Sequence, residues 1–360
     1  MPDSPNPSSS AVPPAANVAT CTCCRRRVPF AITIAVLGAA LVAVYLCSFL
    51  IGSVNISVGE VIDILRSKIM PVEQYWTDVL DRIMVNVRFP QITLSVLIGG
   101  ALSVSGASYQ TVFKNPMVSS DILGVSAGAG FGAALAMLNG ATWWQIQISA
   151  FVFGILAVAC AYVIGQVFGR SNLTVLVLAG VVVSSFFQAL LSIIKTLADT
   201  DSTLPSITFW LMGSLNKGDN NDLIVMLPAV VTSMALLFAF RHKIDTLAAG
   251  QDEALAMGVN VNLVRGVVIV ASTLMTACAV SVAGIIGWIG MVVPHIARAL
   301  TGASYPKLIA TSFVVGGLFL LLIDDLVRGC LSDLPLGVLT ALIGTPVFVF
   351  LLVRTRKEWD

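Results

Sequence analysis

The chain has 360 residues, of which 57% are hydrophobic and only 11% charged. A soluble domain carries about 25% charged residues, so a soluble globular protein of this length is excluded and the chain falls in the membrane class. Its formal net charge of +1 provides no global field for holding nucleic acid.

Residues 1–27 read as a disordered cytoplasmic tail, rich in Pro, Ser and Ala and closed by Arg25, Arg26 and Arg27. Cys21, Cys23 and Cys24 cluster there, but no His or second Cys pair completes a metal site, so no metal is expected. Cys47, Cys160 and Cys278 lie inside apolar runs and Cys330 just beyond one, as small hydrophobes rather than a disulfide framework. The run from Val28 to Gly52 exceeds the roughly 7–15 apolar residues of a secretory signal. It reads as a retained first span with its arginines in the cytoplasm.

About 20 apolar residues cross a bilayer. In chain order that length picks out ten candidate spans, at 29–52, 91–113, 121–139, 144–168, 173–197, 222–240, 262–283, 286–301, 306–327 and 333–353. The fold class expected is therefore an all-α polytopic membrane protein, its membrane domain at 28–354 and a short cytoplasmic tail at 355–360. With the N-terminus inside, 13 of the 20 basic residues, Arg241, Lys243 and Arg265 among them, fall on the inner side and 7, including Arg88 and Arg328, on the outer. That excess follows the positive-inside rule and puts both termini in the cytoplasm.

Three connections are more than turns. Val54 to Arg88 is an external segment with a short amphipathic helix around Glu60 to Leu65. Residues 202–214, with Phe209, Trp210 and Met212, are apolar but too short to span, which suits an interfacial or re-entrant helix. Arg241 to Asn260 is a cytoplasmic loop whose residues 246–258 favour helix, with Gly258 as its stop.

Small residues four apart, Gly99, Ser103 and Ala107 in the second span and Gly124, Gly128 and Gly132 in the third, mark close helix packing in lipid. Gly124 to Gly128 also fits G-x-S-x-G. A nucleophile elbow needs a strand before its helix, so a serine hydrolase using Ser126 and His295 is not expected. His242 sits in a basic cytoplasmic cluster and reads as solvated. Pro294 lacks the N–H that would pair with the carbonyl of Gly290, and His295 is expected to help satisfy that broken stretch rather than to bind a ligand. Asp324 and Arg328 share a helix face. They read either as a solvated helix end with an internal ion pair or as docking charges. Ser184, Ser185, Gln188 and Ser192 recur at helical spacing in the fifth span, lining a path or bonding between helices. No G-x-x-x-x-G-K-[ST] loop occurs, and no intramembrane cluster of Asp, Glu or His suggests an ion relay.

Four segments in register resemble the FecCD-type permeases of binding-protein-dependent ABC importers. They are Arg88-Phe89-Pro90, then Lys114-Asn115-Pro116-Met117 followed by Ile122-Leu123-Gly124-Val125-Ser126, then Gly290-Met291-Val292-Val293-Pro294-His295-Ile296-Ala297-Arg298, and Leu334 to Pro346. The resemblance implies a type II ABC importer permease, itself not an enzyme and without a cofactor. It implies ten spans and a paired second permease subunit, homodimer or close relative, in a bacterial or archaeal cytoplasmic membrane. Two cytoplasmic ATPases would dock on a coupling helix, here Leu247, Ala248, Ala249, Gly250, Glu253, Ala254, Met257 and Gly258. An extracytoplasmic substrate-binding protein would meet Arg88 and Arg328, with Gln91 where the family often has a further Arg. Asn115, Pro116 and Met117 would form an inner gate, with Ser171 and Asn172 in a second inner loop. Gly290, Pro294 and His295 would serve structure. The cargo implied is an iron chelate, a siderophore first, with haem or cobalamin as others. A secondary transporter driven by an ion gradient is the alternative.

Overall fold

The structure, a computed structural model, describes residues 29–52, 54, 56–68, 70, 74–169, 173–331 and 334–356, the last six as backbone alone. The expected N-terminal tail, the cluster of Cys21, Cys23 and Cys24, and the loop residues Ser171 and Asn172 lie outside the described residues. Among the described residues there are helices and connections but no strand.

The first apolar run forms α1 (Phe30–Ser48), and the segment after it carries α2 (Val58–Ser67). Ser57 and Glu60 close a reciprocal capping box at the start of α2. Next come α3 (Asp78–Ile83), a single wider turn at Met84–Arg88 with π-type spacing, and α4 (Phe89–Val112). These three run on as one 35-residue helix, Asp78–Val112. The second span therefore begins well before the expected residue 91. Pro90 does not start it, because the π turn just ahead absorbs the misfit of a proline that lacks a donor.

Then follow α5 (Val125–Leu138), α6 (Trp143–Gly169), α7 (Leu173–Leu197), the short α8 (Thr203–Met212) and α9 (Asn220–Ala239). The connection to the next long helix holds α10 (Arg241–Ala249) and α11 (Gln251–Ala256). The single helix expected over 246–258 is thus two, parted at Gly250, whose backbone is extended at φ −170° and ψ 156°. Gly258, at φ +74°, closes the segment as expected. The chain ends in α12 (Val261–Ala283), α13 (Ile289–Thr301), α14 (Tyr305–Cys330) and α15 (Leu336–Arg356).

Seven of the described helices are long and apolar enough to cross a membrane, and α5, α13 and α15 are shorter apolar helices at the other expected spans. The arrangement is layered. Helix α4 is buried on nearly every side, packed by α14, α12, α13 and α9, and α12 is almost as enclosed. The peripheral helices turn apolar side chains outward, including Val36, Phe168, Leu178 and Ile224. Such a surface is stable only against lipid or another protein.

Close backbone contacts hold the layers. A β-carbon at Gly99 would lie 2.2 Å from the carbonyl oxygen of Gly316, so α4 meets α14 main chain to main chain. Gly128 and Gly132 do the same for α5 against α6, where the Ser149 hydroxyl donates to the Gly132 carbonyl at 2.7 Å. Gly124, in the left-handed region at φ +89°, opens α5 after a loop and not after a strand, so the elbow motif lacks its framework.

Candidate functional site

Helix α9, 20 residues long, spans about 30 Å at ~1.5 Å per residue. It sets α8 and α10 at opposite ends of the bundle. The α10 end gathers most of the expected site residues. Ile244, Leu247 and Ala254 are buried against the bundle and anchor the α10–α11 segment. Leu255 and Met257, by contrast, are 55% and 72% exposed beside Asp252 and Glu253. The carboxylate of Glu253 folds back over Gly250, where a β-carbon would meet Oε2 at 1.3 Å. The break at Gly250 is thus filled by its own neighbour.

Three polar links tie this segment to three different helices. Lys114 Nζ, just past α4, donates to the Ala249 carbonyl at 3.3 Å. Asp245 Oδ1 accepts the backbone N–H of Tyr305 at 2.8 Å. It thereby caps α14, whose own N-cap Ser304 makes no side-chain cap bond. Arg265 of α12 donates to Gln251 Oε1 at 2.9 Å.

The loop from Lys114 to Gly124 joins the same assembly. Asn115 Oδ1 accepts the N–H of Met117 at 2.9 Å, a local turn that leaves Asn115, Pro116 and Met117 exposed. His295 Nε2 lies 3.0 Å from the Pro116 carbonyl and pins that turn to α13. The carbonyl freed by Pro294 is served differently from expectation. Gln110 Nε2 donates to Val118 O at 3.0 Å, Met291 O at 3.2 Å and Gly290 O at 3.4 Å, while Arg298 donates to its Oε1. Gln110 reaches these atoms because Gly106, one turn earlier, lets α4 press onto α13. A β-carbon there would sit 1.8 Å from Gly290 O.

The stripe on α7 is divided. Ser185, Gln188 and Ser192 are exposed on one face, the Ser185 and Ser192 hydroxyls bonding back to Val181 O and Gln188 O at 2.9 Å. Ser184 turns instead toward α5, where a β-carbon on Gly124 would approach its hydroxyl to 2.9 Å.

At the α8 end, Arg88 and Arg328 are not surface charges. Arg88 is 4% exposed and donates to the carbonyls of Phe49 and Val54. Arg328 pairs with Asp324, Nε to Oδ2 at 2.8 Å, and with Asp325, and reaches the carbonyls of Ser48 and Ile51 at 3.3 Å. Ser48 donates to Asp325 at 2.6 Å and Gln91 to Asp324 at 3.1 Å. The ion pair expected at this helix end exists, but it is buried rather than solvated, because the end of α1 lies over it. A docking charge has to be accessible. These two guanidiniums instead fasten α1 to α4 and α14.

Residue spacing missed Gln110, Lys114 and Asp245. An amide near the inner end of an apolar span is the signal that points to Gln110. Asp245 and Tyr305 are 60 positions apart and meet only through the fold.

The chain matches the model of the FecCD transport family over residues 34–354. The molybdate import system permease protein MolB of Haemophilus influenzae is 33% identical over 309 residues, covering 85% of this chain and 91% of that protein. A probable iron chelatin transport system permease protein of Helicobacter pylori is 38% identical over 278 residues, 77% of this chain and 84% of that one. A solved inward-facing conformation of an ABC transporter assigned to the metal-chelate type superposes with a TM-score of 0.81 at 31% identity, covering 90% of this chain and 99% of that chain.

Proposed function

This chain belongs to the FecCD transport family and is an ABC importer permease of that type, and we propose that it carries a metal chelate, a ferric siderophore first, into the cytoplasm. Family membership sets aside the ion-gradient alternative. Permeases of this family work with ATPase and substrate-binding partners. In our reading two ATPases grip α10 and α11 from the cytoplasm, both termini lie on that side, and a second permease subunit faces the exposed stripe of α7.

The observation that carries the reading is the set of three links from the α10–α11 segment to α4, α14 and α12. An ATPase that shifts this segment pulls on three helices at once. The exposed Leu255 and Met257 offer the apolar contact such a partner needs. The Asn115-Pro116-Met117 turn serves as an inner gate, held by His295 and moved through Lys114. Ser171 and Asn172 belong to the second gate loop in the same reading. Ser185, Gln188 and Ser192 line the path, since hydroxyls and an amide on an outward helix face suit water or a partner better than lipid. Arg88 and Arg328 keep the outer end closed around α1.

The test is uptake into vesicles holding the complete transporter. Changing Gly250→Trp together with Glu253→Arg puts an indole where the Glu253 carboxylate folds back over the break and reverses the charge there. ATP-driven uptake of radio-iron as the ferric siderophore should be lost while the binding protein still docks. Full uptake by this variant would sink the coupling assignment. Uptake of molybdate in place of the chelate would sink the cargo.

A further inference from the structure

The Asn115-Pro116-Met117 turn closes on a single residue of α4. The backbone carbonyl of Gln110 accepts the N–H of Asn115 at 3.2 Å, where the turn begins, and its side-chain Nε2 donates to Val118 O at 3.0 Å, where the turn ends. Val118 N donates across the turn to Asn115 O at 3.3 Å. Gln110 and Val118 are each 2% exposed, whereas Asn115, Pro116 and Met117 are all exposed. One buried residue thus brackets an exposed turn from both sides. His295 meets only the middle of that turn, at Pro116 O.

The Gln110 amide can face only one way. Arg298 donates to Oε1, and a guanidinium accepts nothing in return, so the oxygen stays toward Arg298 and the NH2 toward the carbonyls. That NH2 carries two hydrogens. Three carbonyl oxygens compete for them: Val118 O of the loop, and Met291 O and Gly290 O of α13 at 3.2 and 3.4 Å. Gly290 O is the one that Pro294 deprives of its helical donor, and it lies farthest from the amide. With the turn held in, the break in α13 is therefore the weakly served partner.

Such sharing lowers the cost of releasing the turn. When the turn swings toward the cytoplasm, Val118 O exchanges the amide for water, and both hydrogens pass to Gly290 O and Met291 O. Neither position leaves a buried donor unpaired, which is the costly event for a buried amide. We propose that Gln110 is the positioning residue of the inner gate, a latch that divides its two hydrogens between the gate loop and the proline break of α13. Motion of α13 toward the amide claims the hydrogen and frees the turn. The assignment rests on the reading of Asn115-Pro116-Met117 as a gate, and adds the element that controls it.

The test uses the complete transporter in lipid nanodiscs with Val118→Cys as reporter, a change that leaves the backbone oxygen in place. N-ethylmaleimide labelling at position 118, read by peptide mass spectrometry, should be slow at rest and rise during ATP hydrolysis. Gln110→Glu keeps an acceptor for Arg298 and removes both hydrogens. It should raise resting labelling about tenfold, as expected for one lost hydrogen bond, and lower uptake per ATP hydrolysed. Pro294→Ala should act in the opposite sense. It returns a helical donor to Gly290 O, so α13 no longer claims the hydrogen, and labelling during ATP hydrolysis should fall severalfold. Tyr109→Phe is the control, since it removes the neighbouring bond to Thr273 Oγ1 at 3.2 Å and keeps the amide; it should change neither rate. Equal rises in Gln110→Glu and Tyr109→Phe, a rise or no change in Pro294→Ala, or fast resting labelling with Gln110 intact each overturns the latch. The last two need no Gln110 variant to fold. An ATP response at position 118 that Gln110→Glu leaves untouched would overturn the latch alone, whereas the absence of any ATP response with Gln110 intact would sink the gate reading and the latch with it.

Discussion

Replacing Gly106 with Ala tests the glycine whose added β-carbon would come nearest to another helix's main chain among the described residues. The added β-carbon would sit 1.8 Å from Gly290 O and 2.5 Å from the Gly290 carbonyl carbon. Both partners are main chain in buried helices, so no side chain can rotate away. Helices α4 and α13 must part by more than an ångström to restore van der Waals separation. Overpacking of this kind costs about 1–3 kcal/mol. The displacement also stretches the bonds from Gln110 to Met291 O and Gly290 O, which start at 3.2 and 3.4 Å, at about 1 kcal/mol for each lost. The expected destabilisation is therefore about 3–5 kcal/mol. Gly266→Ala is the control, because nothing lies within 4 Å of a β-carbon there. Its helix should gain about 0.5–1 kcal/mol from the lost flexibility. Thermal unfolding in nanodiscs, followed by maleimide capture of buried Cys278, reads both variants. Equal melting of the two would refute the argument that α4 and α13 meet through Gly106 and Gly290.

Asp245→Ala removes the cap from α14 and should cost about 1 kcal/mol. It should also lower uptake relative to ATP hydrolysis in the complete transporter, and an unchanged ratio would detach Asp245 from coupling. Arg328→Leu strands the buried Asp324 and Asp325 and should destabilise the chain by about 3–5 kcal/mol. Arg88→Gln should likewise lower the melting point, whereas a loss of binding-protein affinity with unchanged melting would return Arg88 to a docking role. The exposed Glu60 accepts the Ser57 N–H at 2.8 Å, and that bond holds its carboxyl below the ordinary Glu value. A depressed carboxyl stabilises above its unfolded pKa and loses that contribution as pH falls through the folded one. Hydrogen exchange across α2 should therefore rise at pH below the usual Glu range, with the core unaffected. Glu60→Gln should flatten the dependence, and a pH response that persists in that variant would assign it elsewhere.

The membrane class, the helical fold and the succession of spans were legible in residue order, because a bilayer demands long uncharged runs and any such run shows in the sequence. The α8 helix and the amphipathic α2 were legible for related reasons of length and pattern. The break at Gly250 was not, because Ala, Leu, Gln and Glu around it all favour helix; it shows only in the fold, where α10 packs chiefly on α14 and α4 and α11 on α12. The early start of the second span was hidden too, since Pro90 reads as a boundary unless a π turn precedes it.

Side-chain partnership is where tertiary structure decided most. Spacing along one helix identified the pairing of Asp324 with Arg328, but not that the end of α1 would bury it and turn two expected surface arginines inward. The orphaned carbonyl at Gly290 was deducible from Pro294, yet its donor, Gln110, comes from 180 residues away. A proline announces an unmet hydrogen bond locally. Which side chain meets it depends on the approach of two helices, and that approach exists only once glycines far apart in the chain have been brought face to face.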